Sequence, residues 1–229
     1  EGTNVKRADA SLLSEHDLQK QLEEEFSQHK FNIVYLSSTN IDRLFSLYHA
    51  ALRIGIPFIV DSHQKRIMDV VVSSDHIWAE SSLYKYGKYK PMVLKYDKDN
   101  PGEHLISEKF IAFLKQKGYV LIARGNPRFD HLINKMPGES KQCYLSMWNG
   151  YVSNPASPSY NKELAAALGK GYLYRHTSGH CDMKNLRNLF VQLSPKAIIP
   201  IHTDAPEAFA KLFNDQWPVR LLQDGDLFI

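Results

Sequence analysis

Polar and apolar positions along this chain follow two rhythms, and the switches between them mark its elements. Residues 14–30, SEHDLQKQLEEEFSQHK, set Leu18, Leu22 and Phe26 at i, i+4 and i+8 behind Ser14, an N-cap residue, which predicts a charged helix. NIVYLS (32–37) is then continuously apolar and too short for a helix, so it reads as a strand. After the polar SSTN (37–40), Leu44, Leu47, Tyr48 and Ala51 share one helical face until Gly55 stops the helix. PFIVD (57–61) is a second strand, PMVLKY (91–96) a third, YVLIAR (119–124) a fourth and KQCYLSMW (141–148) a fifth. Further helix and a Tyr/Lys-rich turn fill 62–90, a Ser107-capped helix precedes the fourth strand, and PRFDHLINKM precedes the fifth.

Helices alternating with short, continuously apolar strands predict an α/β fold with a parallel sheet covered on both faces. The clearest interruption is NGYVSNPASPSY (149–160), where Gly, Pro, Ser and Asn replace any period. Beyond it come a short Ala-rich helix, the apolar YLYRHTS (172–178) and a helix from Asp182 with Leu186, Leu189, Phe190 and Leu193 on one face. The strand KAIIPI (196–201), the helix APEAFAKLF and two closing strands, VRLL (219–222) and DLFI (226–229), complete the pattern.

Composition adds little to this picture. With 229 residues, 43% of them apolar, the chain can bury a sizeable core, and no run approaches the roughly 20 apolar residues of a membrane span. The polar N-terminal stretch predicts no signal peptide, and two cysteines, Cys143 and Cys181, predict no disulfide framework, so the expected compartment is cytoplasmic. A net charge of +3 allows a polyanionic partner without arguing for one.

The chemistry sits at two junctions. His180, in TSGHCD, and His202, in IPIHTD, each lie between an apolar run and a helix start, the edge at which open α/β sheets place their ligands. Asp182 is a suitable N-cap for the first helix, and Asp204 to Glu207 a capping box for the second. Two imidazoles are half a zinc site, which needs three or four protein ligands; two polar loop residues that happen to be alike are the other reading. Ser37, Ser38 and Asn40 lie between a strand and a helix start, where hydroxyls and free N–H groups can hold a phosphate or simply cap the helix. Trp148 and Tyr151 offer rings for base stacking or for a core. Cys181, beside His180, reads as a packed side chain or as a ligand. Lys85, Lys88 and Lys90 read as a solvated loop or as phosphate contacts.

TSGHCD followed by IPIHTD, after a segment containing SSTNIDR, resembles the β-CASP branch of the metallo-β-lactamase superfamily, the zinc nucleases of the ribonuclease J and polyadenylation-endonuclease type. Glu1, opening EGTN, matches the motif A acid, His180 the motif B histidine and His202 the motif C histidine. The likeness is specific over 175–207, moderate over 31–61 and weak over 62–140. It implies a β-CASP domain at 14–165, inserted between lactamase-core segments at 1–13 and 166–229, the latter being the C-terminal part of an αββα fold.

The resemblance also implies a zinc-dependent RNA-cleaving phosphodiesterase, with a histidine at motif C associated with RNA. His202 would be a zinc ligand, His180 the catalytic residue and Glu1 its orienting acid, with Ser37, Ser38, Asn40 and Ser178 toward the substrate. The family's H-x-H-x-D-H ligands lie N-terminal to motif A. Because the sequence opens on motif A, they are expected in a lactamase half outside these residues, and these residues alone are expected to hold zinc weakly and hydrolyse nothing. RNA is the implied partner, a homodimer is an allowed assembly and no membrane is involved. The alternative is a non-catalytic β-CASP subunit that binds RNA or an active relative.

Overall fold

The computed structural model describes residues 1–7, 13–75, 80–95, 105–169 and 171–226. The chain divides into two compact units: Leu13–Thr177, and a discontinuous one made of Glu1–Leu12 with Ser178–Ile229.

The larger unit is built on a six-stranded, all-parallel sheet. Its strands are β1 (Phe31–Tyr35), β2 (Phe58–Asp61), β3 (Met92–Leu94), β4 (Tyr119–Ala123), β5 (Gln142–Leu145) and β6 (Leu173–Tyr174), in spatial order β3-β2-β4-β1-β5-β6. Between them run α1 (Glu15–Gln28), α2 (Ile41–Ile54), α3 (Ser62–Val72), α4 (Glu108–Lys117), α5 (Pro127–Lys135), α6 (Gly150–Ser153) and α7 (Lys162–Leu168).

Alternation along each strand feeds two cores. Val34, Val60, Val120 and Ile122 pack under α1, α2 and α3 with Leu18, Leu22, Phe26, Leu44 and Met68. Ile33, Tyr35, Ile59 and Leu121 point the other way, onto Leu114, Phe129, Leu132, Leu164 and Leu168 of α4, α5 and α7. With both faces covered, the strands read as largely apolar runs, as buried parallel sheets require, with Asn32 and Asp61 buried polar exceptions in β1 and β2.

Local signals set the helix ends. Ser14, Asn40, Ser107, Asn126 and Asn161 each accept a first-turn backbone N–H. Asp61 forms a full capping box with Gln64 at α3. Gly55 ends α2 at φ 77°, a left-handed value that a side chain resists.

One side chain in this unit runs against its composition. Arg43, on α2, is fully buried. Its Nε and Nη2 donate to the two carboxylate oxygens of Glu15 at 2.6 and 2.9 Å, and its Nη1 donates to Ser146 Oγ at 2.6 Å and to the Arg175 carbonyl at 3.3 Å. His176 lies against this network. Burial, then the Arg43 charge, lower its pKa to about 4 against the opposing pull of Glu15. Its Nδ1 is buried without a hydrogen-bond partner among the described residues.

The smaller unit packs Val5 against α8 (Met183–Leu193) and α9 (Pro206–Phe213) through Met183, Leu186, Phe190, Phe209 and Phe213. Four expectations are corrected here. YLYRHTS contributes only β6, which pairs with β5, so residues 166–177 belong with the larger sheet and the division falls after Thr177. KAIIPI and VRLL meet in a single parallel bridge, Ile198 to Val219; with no third strand beside them among the described residues they do not extend into a ladder. Leu189 and Leu193 of α8 are exposed, while Leu186 and Phe190 face the core. Finally, Asp204 does not cap α9: its N-cap is Ala205, which makes no side-chain hydrogen bond, Pro206 is the first helical residue, and Asp204 pairs with Lys6 at 2.9 Å. Of the closing strand DLFI, residues 227–229 lie outside the described residues. No described helix is long and apolar enough to cross a membrane.

Candidate metal centre

Three side chains far apart in sequence meet in the smaller unit. Glu1, His180 and His202 each offer a ligand atom, all within 4.8 Å of one another, and all three residues are exposed. His180 Nδ1 lies 3.2 Å from Glu1 Oε2 and His202 Nδ1 3.5 Å from the same oxygen. The two imidazole centroids are 5.2 Å apart, tilted by 41°.

Each member is held by short-range polar contacts. Glu1 Oε1 accepts the backbone N–H groups of Gly2 and Thr3, both at 3.1 Å. Partial burial pushes the Glu1 carboxyl upward, but the Thr3 N–H, the His180 ring and the Gly2 N–H outweigh it and lower its pKa to about 2. It therefore stays a carboxylate through neutral and mildly acidic solution. A carboxylate can only accept, so a hydrogen bond from His180 puts the proton on Nδ1 and leaves Nε2 with the lone pair.

His180 follows an irregular stretch from Arg175 to Asp182 rather than stepping straight off a strand. Its backbone is clamped by Asn4, a buried residue whose Nδ2 donates to the His180 carbonyl at 3.0 Å and the Cys181 carbonyl at 3.2 Å and approaches Ser178 Oγ at 3.4 Å. Ser178 Oγ in turn accepts the His180 N–H at 3.2 Å. Asp182 caps α8 by accepting from Asn185 N at 2.7 Å. The His202 loop is tied down by Thr203, whose Oγ1 donates to the Gly2 carbonyl at 3.0 Å and accepts from Ala205 N at 3.1 Å. Thr3 Oγ1 stands 3.4 Å from His202 Nδ1.

The other candidates fall elsewhere. Cys181 is outside the three-ligand group; its thiol donates to the Asp182 carbonyl at 3.3 Å and its pKa is raised by burial and by the charges of Asp182 and Glu1. Ser37, Ser38 and Asn40 lie in the larger unit. Ser37 Oγ bonds Thr39 Oγ1 at 2.9 Å, Asn40 Oδ1 is occupied capping α2, and Ser38 Oγ is buried without a partner among the described residues. Sequence reasoning passed over Thr3, Asn4 and Thr203. The available signal was a run of short polar side chains, each able to bond nearby backbone.

The donor set is two imidazoles and a carboxylate within one ion's reach, a combination that suits zinc. It supplies three protein donors at most.

Comparison with known proteins adds the fold alone. No family model matches the chain, and no curated protein does. Among solved structures, the chain is similar over 94% of its length to the crystal structure of a protein of unknown function from Enterococcus faecalis V583, with a TM-score of 0.58 and 14% identity. The chain spans 45% of that structure's length.

Proposed function

We propose that this chain is the C-terminal share of a zinc-dependent RNA phosphodiesterase of the metallo-β-lactamase, β-CASP type. On this reading the larger unit is the β-CASP insertion and the two segments of the smaller unit are parts of the lactamase core. The observation that carries it is the convergence of Glu1, His180 and His202, the residues matching motifs A, B and C, although Glu1 and His180 are 179 residues apart in the chain. An insertion also fits the discontinuous smaller unit, whose two segments flank the larger one in sequence.

Zinc in the complete site would supply an activated water and a Lewis acid for the phosphate. His202 would be one of the residues that hold it. His180, with Nδ1 held by Glu1, presents Nε2 to the phosphate oxygens and carries a proton to or from them. Glu1 fixes the tautomer, a second layer of support that such sites depend on. The other ligands of this reading, the H-x-H-x-D-H share, are not found in these 229 residues.

The test is zinc per chain beside single-turnover cleavage of a 5′-monophosphorylated RNA, in the full-length protein. His202→Ala should lose both metal and cleavage. His180→Ala should keep zinc while the rate falls roughly 10²- to 10⁴-fold, the range for a positioned acid–base group. Cleavage at the parent rate by both variants ends the nuclease reading.

A second reading, a non-catalytic subunit that binds RNA or an active relative, is favoured by one observation. Leu189, Val191, Leu193 and Ile201 of the smaller unit are exposed, as surfaces that meet a partner often are. A full-length protein that holds zinc and cleaves no RNA would select it.

A further inference from the structure

β5 ends at Leu145, and the chain leaves the sheet through Ser146 and Met147 to reach Trp148, at the carboxyl edge where parallel sheets present ligands. Trp148 is 55% exposed. Large aromatic side chains are usually far more covered than this.

The ring is nonetheless held in place. A Cβ added to Gly150 would lie 2.3 Å from Cη2 and from Cζ2 and 2.5 Å from Cε2 of the indole. Approach at the rim of a ring brings one atom much nearer than its neighbours. Three adjacent atoms at nearly one distance put that position over the flat of the benzo ring. One face of the indole therefore rests on the Gly150 backbone, and any larger residue there would displace it.

Tyr151 and Trp148 form a T-shaped ring pair, with centroids 5.5 Å apart and planes at 80°. Its backbone is fixed on both sides: its N–H donates to the Trp148 carbonyl at 3.2 Å, and its carbonyl accepts from Asn161 N at 2.8 Å. Beside the pair, Tyr172 donates its hydroxyl to Asn149 Oδ1 at 3.1 Å. The Asn149 Nδ2 is left without a bond to any described residue.

We propose that the open face of Trp148, walled by Tyr151, is a stacking platform for an unpaired nucleobase of single-stranded RNA. This rests on the RNA-directed reading above and adds a binding site to it. A flat, uncharged, pre-positioned ring with one free face suits another flat ring, and every base has one. The Asn149 amide at the rim offers a hydrogen bond to a base edge. An aliphatic side chain of a partner protein would profit from buried area but not from the fixed plane that the tight Gly150 contact gives the ring.

The experiment uses the full-length protein with zinc removed by chelation, so that nothing is cleaved. Fluorescence anisotropy follows a labelled single strand of about 12 nucleotides, within the span that one single-strand-binding module covers, the same sequence as a duplex, and an abasic strand of equal length. Trp148→Ala should weaken single-strand binding roughly 5- to 100-fold, the range for loss of one stacked base, and leave duplex binding unchanged. Trp148→Phe should recover most of the affinity. Gly150→Ala, with unchanged circular dichroism, should resemble Trp148→Ala because the indole is displaced. The abasic strand should bind parent and Trp148→Ala alike.

Equal single-strand affinity of parent and Trp148→Ala overturns the platform, and so does no RNA binding at all. If zinc-loaded protein cleaves RNA while Trp148→Ala keeps the parent affinity, the platform is wrong and the nuclease reading stands. If binding depends on Trp148 and no cleavage occurs, the platform stands and the nuclease reading falls.

Discussion

Truncating Glu15 would leave a cation stranded in the interior of the larger unit. Arg43 is 0% exposed, and its guanidinium meets one carboxylate in two-pronged fashion. Removing one partner of a buried pair costs about 3–5 kcal/mol, because the remaining charge stays desolvated. Two corrections lower that figure here. Glu15 is 29% exposed, so water can enter where the carboxylate was, and Nη1 keeps its bonds to Ser146 and the Arg175 carbonyl. The expected cost of Glu15→Ala is therefore about 2–4 kcal/mol. For a unit of this size that is a fall in Tm of roughly 5–15 °C. Urea titrations followed by circular dichroism on Glu15→Ala, Arg43→Met and the double variant measure it directly. The double variant should be less destabilised than the sum of the two, since an apolar methionine side chain in place of the guanidinium has no need of a carboxylate. Additive losses, or a Glu15→Ala loss below about 0.5 kcal/mol, would refute the claim that this pair is desolvated.

Two further outcomes follow from other buried groups. His176 has a folded pKa lowered to about 4 from 6.5, so the unfolded chain takes up its proton first as the solution is acidified; stability is full above about 6.5 and falls as pH drops toward 4. The urea midpoint of the parent should decline between about pH 6.5 and 5, before most carboxylates titrate, and His176→Phe should flatten that decline; the same slope in both proteins would assign it to another group. Asn4→Asp would point carboxylate oxygens at the His180 and Cys181 carbonyls in place of N–H donors, at a cost of roughly 2–3 kcal/mol. Hydrogen exchange at 178–182 should quicken while β1 and β4 stay protected, and unchanged exchange in that loop would show that Asn4 does not hold it.

Much of the larger unit was legible in the sequence because local chemistry and tertiary structure agree there. β1, β2 and β4 are largely apolar on both faces, and Ser14, Ser107 and Gly55 end helices where their side chains or backbone freedom dictate. What was hidden depends on pairing between distant residues. Nothing local to Tyr119–Ala123 says that it lies between β2 and β1, and nothing in the Leu-Tyr pair at 173–174 separates a two-residue edge strand from a loop. KAIIPI has a strand's composition, but among the described residues it has one bridge, Ile198 to Val219, and no ladder. Arg43 looks like a solvated helix residue, since its partners lie 28 residues before it and 103 and 132 after it. At the candidate metal centre the histidines stood out by their junctions and Glu1 by a resemblance. Asn4, the residue that clamps the His180 loop, is one amide among several short polar side chains.

The boundary at Thr177 has a consequence for how the chain is made. Thr177 Oγ1 donates to the Leu13 carbonyl at 2.6 Å, so the larger unit enters and leaves through one point. A module closed on itself in this way can be complete while the ribosome is still adding later residues, since domains generally fold as units during synthesis. Glu1 and Asn4, by contrast, wait: they find their partners only after Ser178, His180 and His202 have emerged. The grouping of Glu1, His180 and His202 can thus form only once His202 has been translated. It also makes Leu13 and Thr177 the natural places to cut the larger unit free, or to graft it between two adjacent residues of another protein.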